Sequence, residues 1–307
     1  MTRFASAYRS ERAQSLVIVL VFMTVLIGMA AAVLDVGSWY RADRKLQANA
    51  DAAALAGVQE LPESMAAAQD EALAYADDND GGVEARNVKF RTTLIPHDTI
   101  EVTAERPAPG FFAKLFALDS VQVRAKAVAR VGVLSRAKWA APIAVDWKHE
   151  KLQCKPTPCW NEATRIDFNK TGPGAFRLIN IDSSHGGTGS SDIGNWIESG
   201  LDAWMDKDRW YYSDPGLKPN SSHIVGALDI RDETELLLPV YNDTKAQGAG
   251  FEYYVIGWAV FHVTSFTING ARNAWIDGYF VDMIWEGIQS QSAGSEHFGA
   301  RAAALIE

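Results

Sequence analysis

Cysteine is nearly missing from this chain: among 307 residues only Cys154 and Cys159 occur. That scarcity excludes a disulfide-dense small scaffold and a zinc site built from four thiolates. The two thiols lie close, with Lys155, Pro156, Thr157 and Pro158 between them. Such a pair in an otherwise cysteine-free chain reads as a small disulfide loop formed in an oxidising compartment. Two reduced thiols are one alternative. A zinc site that recruits His149 is another, although no second closely spaced ligand pair follows.

Positive charge is also in short supply. The net charge is -9 and no basic patch offsets it, so general affinity for nucleic acid is not expected. The usual chemical motifs are missing as well. The Gly-rich segment His185–Asp192 has neither the spacing nor the Lys of a phosphate loop, and it does not supply Gly-x-Ser-x-Gly. It reads instead as a loop before a helix, with Asp192 as a candidate N-cap. Asp182, His185 and Ser190 carry triad chemistry by type, but proximity on one loop is no sign that they converge. The six histidines (97, 149, 185, 223, 262 and 297) are scattered, and no His-Glu-x-x-His pair occurs. His262 reads as a hydrogen-bonded core residue. Asp77–Asp80 lacks the spaced ligands of a calcium loop and reads as a solvated turn. No catalytic residue, metal ligand or cofactor is therefore assigned.

What the chain does have is one long apolar run. Ser15–Leu34 contains no charge and no proline, and twenty residues at helical rise match the hydrocarbon thickness of a bilayer. A cleaved signal peptide is the rival, with Arg3, Arg9 and Arg12 ahead of the run and Ala30, Ala31 and Ala32 near its end. The run is longer than the usual apolar region of a signal, which favours an anchor. Positive charges flank it evenly, because Arg41, Arg44 and Lys45 follow. The cysteine pair breaks the tie and puts the C-terminal mass outside, with a short cytoplasmic N-terminus.

Helix-forming residues continue to Pro62 without a proline. Small residues line this stretch: Gly28, Ala32 and Gly37 in and near the apolar part, then Ala50, Ala53, Ala54 and Gly57 beyond it. They let another backbone come close, either from a partner helix or from the chain's own domain.

These residues resemble the N-terminal segment of the TadE/TadG-like proteins of Flp (tight adherence) pilus-assembly systems. The matching stretches are Gln14-Ser15-Leu16, Asp35-Val36-Gly37, the basic cluster from Arg41 to Leu46, and Gln47 to Gly57. Ala50–Gly57 (ADAAALAG) is the most specific of them, while Ala13 replaces the family's usual glycine. The resemblance extends over residues 10–134 through a second Ala-rich helix (Glu63–Ala76), a strand at Thr99–Arg106, a short helix at Phe111–Leu118 and a strand at Val121–Val133. It implies a non-enzymatic membrane component of a Flp/Tad-type pilus or secretion apparatus. The expected partners are membrane lipid, pilus subunits or other Tad-system envelope proteins, and a second copy of the chain (a homo-oligomer); nucleic acid is not among them. No glycine precedes Gly28 and no glutamate lies in the apolar run, so prepilin-type processing is not expected.

Past Ser135 the composition changes. Nine of the ten tryptophans lie there, Trp39 being the exception. Segments rich in β-branched and aromatic residues (Ala163–Phe168, Glu235–Tyr241, Glu252–Ile268, Trp275–Trp285) alternate with turns such as Gly172-Pro173-Gly174, Asp214-Pro215-Gly216 and Asn269-Gly270. The expected architecture is α+β. Residues 1–14 are cytoplasmic, 15–36 span the membrane, and 37–134 form a helical extension with a small α/β domain. Residues 135–288 form a mainly antiparallel β domain, sandwich or barrel, with one helix over Ile193–Lys207, and 289–307 a flexible tail. Phe251–Phe266 carries Glu252 and His262 and reads as a buried strand, not a second span. Trp160, Trp196, Trp204 and Trp210 are the candidates for surface recognition. A membrane-tethered hydrolase acting on cell-wall or surface polymers and an adhesin-like binding module are the competing functions.

Overall fold

The protein is described here from a computed structural model. It covers residues 7–79, 81–155, 157–168, 177–247, 250–270, 273–292 and 297–306, with side chains from Ser15 onward. The expected turn at Gly172-Pro173-Gly174, and Asp80, lie outside the described residues. The architecture is α+β, in two compact units. The first takes in the described residues up to Arg91, Thr99–Ala129 and the chain from Leu305. The second takes in Thr92–Asp98 and Arg130–Ala304. The sequence-based boundary after residue 134 falls inside a strand.

Helix α1 (Ala7–Gly57) dominates the first unit. Its 51 residues at 1.5 Å each give a rod about 76 Å long. No proline interrupts it, and an apolar backbone that can hydrogen-bond to nothing else has no reason to break. From Ser15 to Ala30 every side chain is exposed; beyond Leu46 one face is buried. Leu46, Asn49, Ala50, Ala53, Ala54 and Gly57 recur at three- and four-residue intervals, the spacing of one helical stripe. That stripe meets α2 (Met65–Asp78), which Ser64 caps by accepting the Ala67 N–H at 3.1 Å. Ala68, Ala72 and Ala76 of α2 are fully buried. Alanine against alanine brings the two backbones close, and a Cβ at Gly57 would lie 2.5 Å from the Ala68 carbonyl oxygen. Strands β1 (Val83–Arg91) and β2 (Thr99–Pro109) pair antiparallel, with Ile100, Val102 and Ala104 buried. Strand β3 (Ser120–Ala137) lies beside β2, and its residues from Arg130 onward belong to the second unit.

In the second unit come β4 (Val145–Asp146), β5 (Ala163–Asp167), α3 (Ser190–Ser199), β6 (Met205–Asp206), β7 (Arg209–Ser213) and α4 (Ser222–Ile230). After them follow β8 (Glu235–Gln247), β9 (Gly250–Ile268), β10 (Ala274–Val281), β11 (Met283–Ile284), β12 (Gly287–Gln289) and β13 (Ala300–Leu305). One sheet has the order β4-β8-β9-β10-β5, with β7 also on β9. It is antiparallel except at β4–β8. Over Leu236–Tyr241 both faces of β8 are buried, which is why it carries the unbroken Leu236-Leu237-Leu238 run. Leu236, Leu238 and Val240 pack with Ile193, Ile197, Ile224 and Leu228 of α3 and α4. Leu237 and Tyr241 point the other way, toward Leu134 and Ala137 of β3 and Ala300 and Ala302 of β13. Phe251–Phe266 is, as expected, part of the central strand β9.

Three expectations need correction. The helix over Ile193–Lys207 stops at Ser199, because Gly200 (φ +73°) turns the chain and 205–206 pair with β3 as strand β6. Helix α4 was not expected at all. The supposed flexible tail contains β13, its polar side chains partnered: Arg301 Nε donates to Asp282 Oδ1 at 2.7 Å, and Gln289 Nε2 to the Ala302 carbonyl at 2.8 Å.

Asp98 shows the same kind of hidden support. Fully buried, it accepts the N–H groups of Thr93, Leu94 and Ile95 and the Thr93 hydroxyl at 2.8–3.1 Å. Burial opposes its charge, yet these donors outweigh burial and hold its carboxyl below the ordinary carboxylate range. Its contribution is thus present above the unfolded value of about 4 and lost as pH falls through the lower folded value. Asp98→Ala should cost about 1–3 kcal/mol in urea unfolding at pH 7, and the gap from wild type should shrink below about pH 4. Gly57→Leu should lower stability by about 1–3 kcal/mol through the α1–α2 contact, read from the same denaturation curves.

Candidate functional site

The small residues singled out from the sequence separate into two sets. Ala50, Ala53, Ala54 and Gly57 are buried inside the first unit, against its own α2 and strands, so they serve the unit's own core. Gly28, Ala32 and Gly37 stay exposed along the apolar part of α1. Polar neighbours of the buried set fix the helix in place. Gln47 Nε2 donates to the Lys126 carbonyl at 2.9 Å, and Asn49 Nδ2 to the Gly81 carbonyl at 2.6 Å and the Ala76 carbonyl at 3.3 Å.

Asp35 forms the most concentrated polar arrangement on α1. Its carboxylate is buried and accepts three consecutive backbone N–H groups: Phe111 at 2.8 Å, Phe112 at 3.0 Å and Ala113 at 2.6 Å. These are the orphan donors at the start of the short helix Ala113–Phe116, so Asp35 caps that helix from another element. One turn on, Trp39 Nε1 donates to the Pro109 carbonyl at 3.3 Å. Sequence reasoning placed Asp35 in an Asp-Val-Gly string but gave it no role. Its partners lie 76 residues or more away, and the one local cue was a lone carboxylate at the end of an apolar run.

In the second unit the two cysteines form the disulfide Cys154–Cys159. Nearby, a cleft of about 780 Å³ is lined by Asp146, His149, Glu150, Arg165, Asp167, Arg177, Asp277 and others. Several of its polar groups hold its own walls. Arg165 donates to Asp277 at 3.0 Å and stacks over Trp275 at 4.1 Å, a ring nitrogen of His149 lies 3.0 Å from the Arg165 carbonyl oxygen, and Arg177 reaches the Asp167 carbonyl oxygen at 3.3 Å. Such a surface can hydrogen-bond a polar ligand. The triad candidates are directed elsewhere. His185 faces Glu252 at 3.6 Å, Asp182 accepts the Ser184 N–H, and Ser190 opens α3. Asp192 sits at the third position of α3 and accepts the Gly189 N–H at 2.9 Å, so Gly189, not Asp192, is the N-cap residue. His262 is partly buried, 3.0 Å from Glu235, and stacked on Tyr279. Among the described residues no cluster of three or more His, Cys, Asp or Glu side chains is arranged to hold a metal.

Of the four tryptophans, Trp160 and Trp196 pack on the core of the second unit. Trp210 lies under the Lys245 ammonium at 4.2 Å. Trp204 is the exposed one, at 40%, with Arg136 and Lys138 over its ring.

Residues 14–60 match the family described as "Putative Flp pilus-assembly TadE/G-like". No curated protein and no solved structure gives a significant match. The Tad-like segment thus comprises the apolar run, Asp35, Gln47, Asn49 and the buried small-residue stripe, and it supports involvement in Flp pilus assembly. The rest of α1's packing partners, including the Asp35 acceptors at 111–113, lie outside the match. One long apolar helix in this segment is sufficient to cross a membrane and suggests a single-pass anchor.

Asp35→Ala should release the 111–113 amides without unfolding the unit. Hydrogen exchange should speed up roughly tenfold or more at Phe112 and Ala113 while α2 amides keep their protection. An unchanged rate at 112–113 would mean that Asp35 is not what holds the loop.

Proposed function

We propose that the chain is a non-enzymatic, uncleaved, single-pass component of a Flp/Tad-type pilus-assembly or secretion apparatus. Its N-terminus faces the cytoplasm and both folded units lie outside the cytoplasmic membrane. The observation that supports this most is that the Tad-like match covers one unbroken helix whose first half is bare and apolar and whose second half is the core of a folded unit. Removing the first half as a signal would cut a continuous helix that also carries Asp35. The disulfide supports this orientation, since such bonds form in an oxidising compartment.

The protein then acts by position and recognition. The helix fixes the first unit at the membrane surface. Gly37, exposed on α1, leaves room for a partner helix where the helix emerges from the bilayer, and the second unit offers its exposed surfaces to pilus subunits, other envelope proteins or a second copy. A binding-module reading has its own support in the charged cleft around Arg165 and Asp277, which suits a polar ligand such as a glycan or peptide. Arg165→Ala should abolish binding to such a ligand without changing membrane retention.

Protease treatment of spheroplasts carrying a C-terminally tagged full-length chain tests the main reading. The tag should be removed by external protease while the chain fractionates with membranes at full length. A protected tag on a membrane-bound chain would reverse the orientation. A shortened, soluble product would replace the anchor with a cleaved signal.

A further inference from the structure

The segment 111–118 presents large apolar side chains to the surface. Phe111, Phe112, Leu115, Phe116 and Leu118 are all exposed, Leu115 at 82% and Phe116 at 84%. Contiguous exposed apolar groups mark an interaction surface. The backbone beneath them is fixed: Leu115 N–H donates to the Phe112 carbonyl at 3.0 Å, Leu118 N–H to Ala113 at 3.1 Å, and Gly110 N–H to Asp119 at 3.1 Å. Asp35 caps the turn from α1, as described above. The tip is therefore held in a defined conformation with its apolar side chains pointing out.

Its height along α1 is also defined. Phe112, Ala113 and Phe116 share a largely apolar hollow of about 160 Å³ with Gly28, Ala31, Ala32, Val36 and Trp39, and Asp35, its carboxylate taken up by the 111–113 amides, lies at its wall. Gly28 precedes Asp35 by seven residues, so the tip reaches about 10 Å down the helix from its cap. That stretch of α1 is itself apolar and exposed. Above it follow Trp39 and Tyr40, then Arg41, Arg44 and Lys45, in the order in which aromatic and basic side chains occupy the interface of a bilayer. Lys114, exposed in the middle of the tip, has the length to bring its ammonium to lipid phosphates.

We infer that the 111–118 tip inserts into the bilayer beside α1, in the leaflet where the helix emerges, as a second membrane contact, with acyl chains of phospholipid filling the hollow between them. This rests on the reading of α1 as a membrane span. Two contacts at one interface, one of them a rigid cap on the other, prevent the first unit from swinging about the helix. A lipid occupant is favoured over a protein one because the same hydrocarbon layer covers both the bare helix and the bare tip at the same depth.

Single cysteines at positions 116, 26 and 59, each in the full-length chain with its disulfide intact, carry an environment-sensitive fluorophore. Each variant (Phe116→Cys, Leu26→Cys, Gln59→Cys) is reconstituted at high lipid excess into phosphatidylcholine–phosphatidylglycerol vesicles. Lipids with a quencher on the acyl chain should dim the probes at 26 and 116 several-fold more than the probe at 59, and Leu115→Cys should repeat the result at 116. Quenching at 26 but not at 116, with iodide reaching 116 as freely as 59, overturns the inference and leaves the anchor standing. A probe at 116 shielded from iodide yet untouched by lipid quencher also overturns it, since protein then covers the tip. Loss of lipid quenching at 26 removes the anchor and this inference together.

Discussion

A backbone that crosses hydrocarbon must satisfy its own hydrogen bonds, and α1 meets that constraint by running unbroken for 51 residues. Because nothing interrupts it at the surface, the same rod must serve two solvents. Its first half needs apolar side chains all round, and its second half needs one stripe that a small unit can bury. The change runs from Asp35, the first buried among the described residues, to Leu46, where the buried stripe begins. At Asp35 a carboxylate that follows the bare apolar stretch is matched by three backbone donors.

The small-residue stripe follows from the same constraint. A short α/β unit with few large core side chains gains contact by bringing backbones together, and Ala50, Ala53, Ala54 and Gly57 against Ala68, Ala72 and Ala76 achieve this. The most specific string of the Tad-like segment, Ala50–Gly57, thereby serves the unit's own interior. What α1 leaves exposed is its bare apolar half, from Ser15 to Ala30.

The second unit solves a different problem. Strands β8 and β9 are buried on both faces, with α3 and α4 on one side and β3 and β13 on the other. Two-sided burial explains why apolar runs such as Leu236–Leu238 show no alternation. The Ala-rich C-terminal segment becomes a strand with Asp282 and Gln289 as partners for its arginine and one of its carbonyl groups.

Sequence alone was sufficient wherever the signal was local. An uncharged run long enough for a bilayer, Ala spacing on helix faces, β-branched strands and two close cysteines each declare themselves within a few residues. They gave the anchor, the α+β class and most elements. The end of α3 had a local signal in Gly200, whereas helix α4 and strand β13 were not legible, because each is decided by burial and hydrogen bonding against chain that is remote in sequence. Asp35 makes the difference plain. Its presence after an apolar run is written in the sequence. Its function as the cap of a loop 76 residues away exists only once the chain is folded, since hydrogen bonds are directional and short, and nothing local to Asp35 names the donors that folding brings to it.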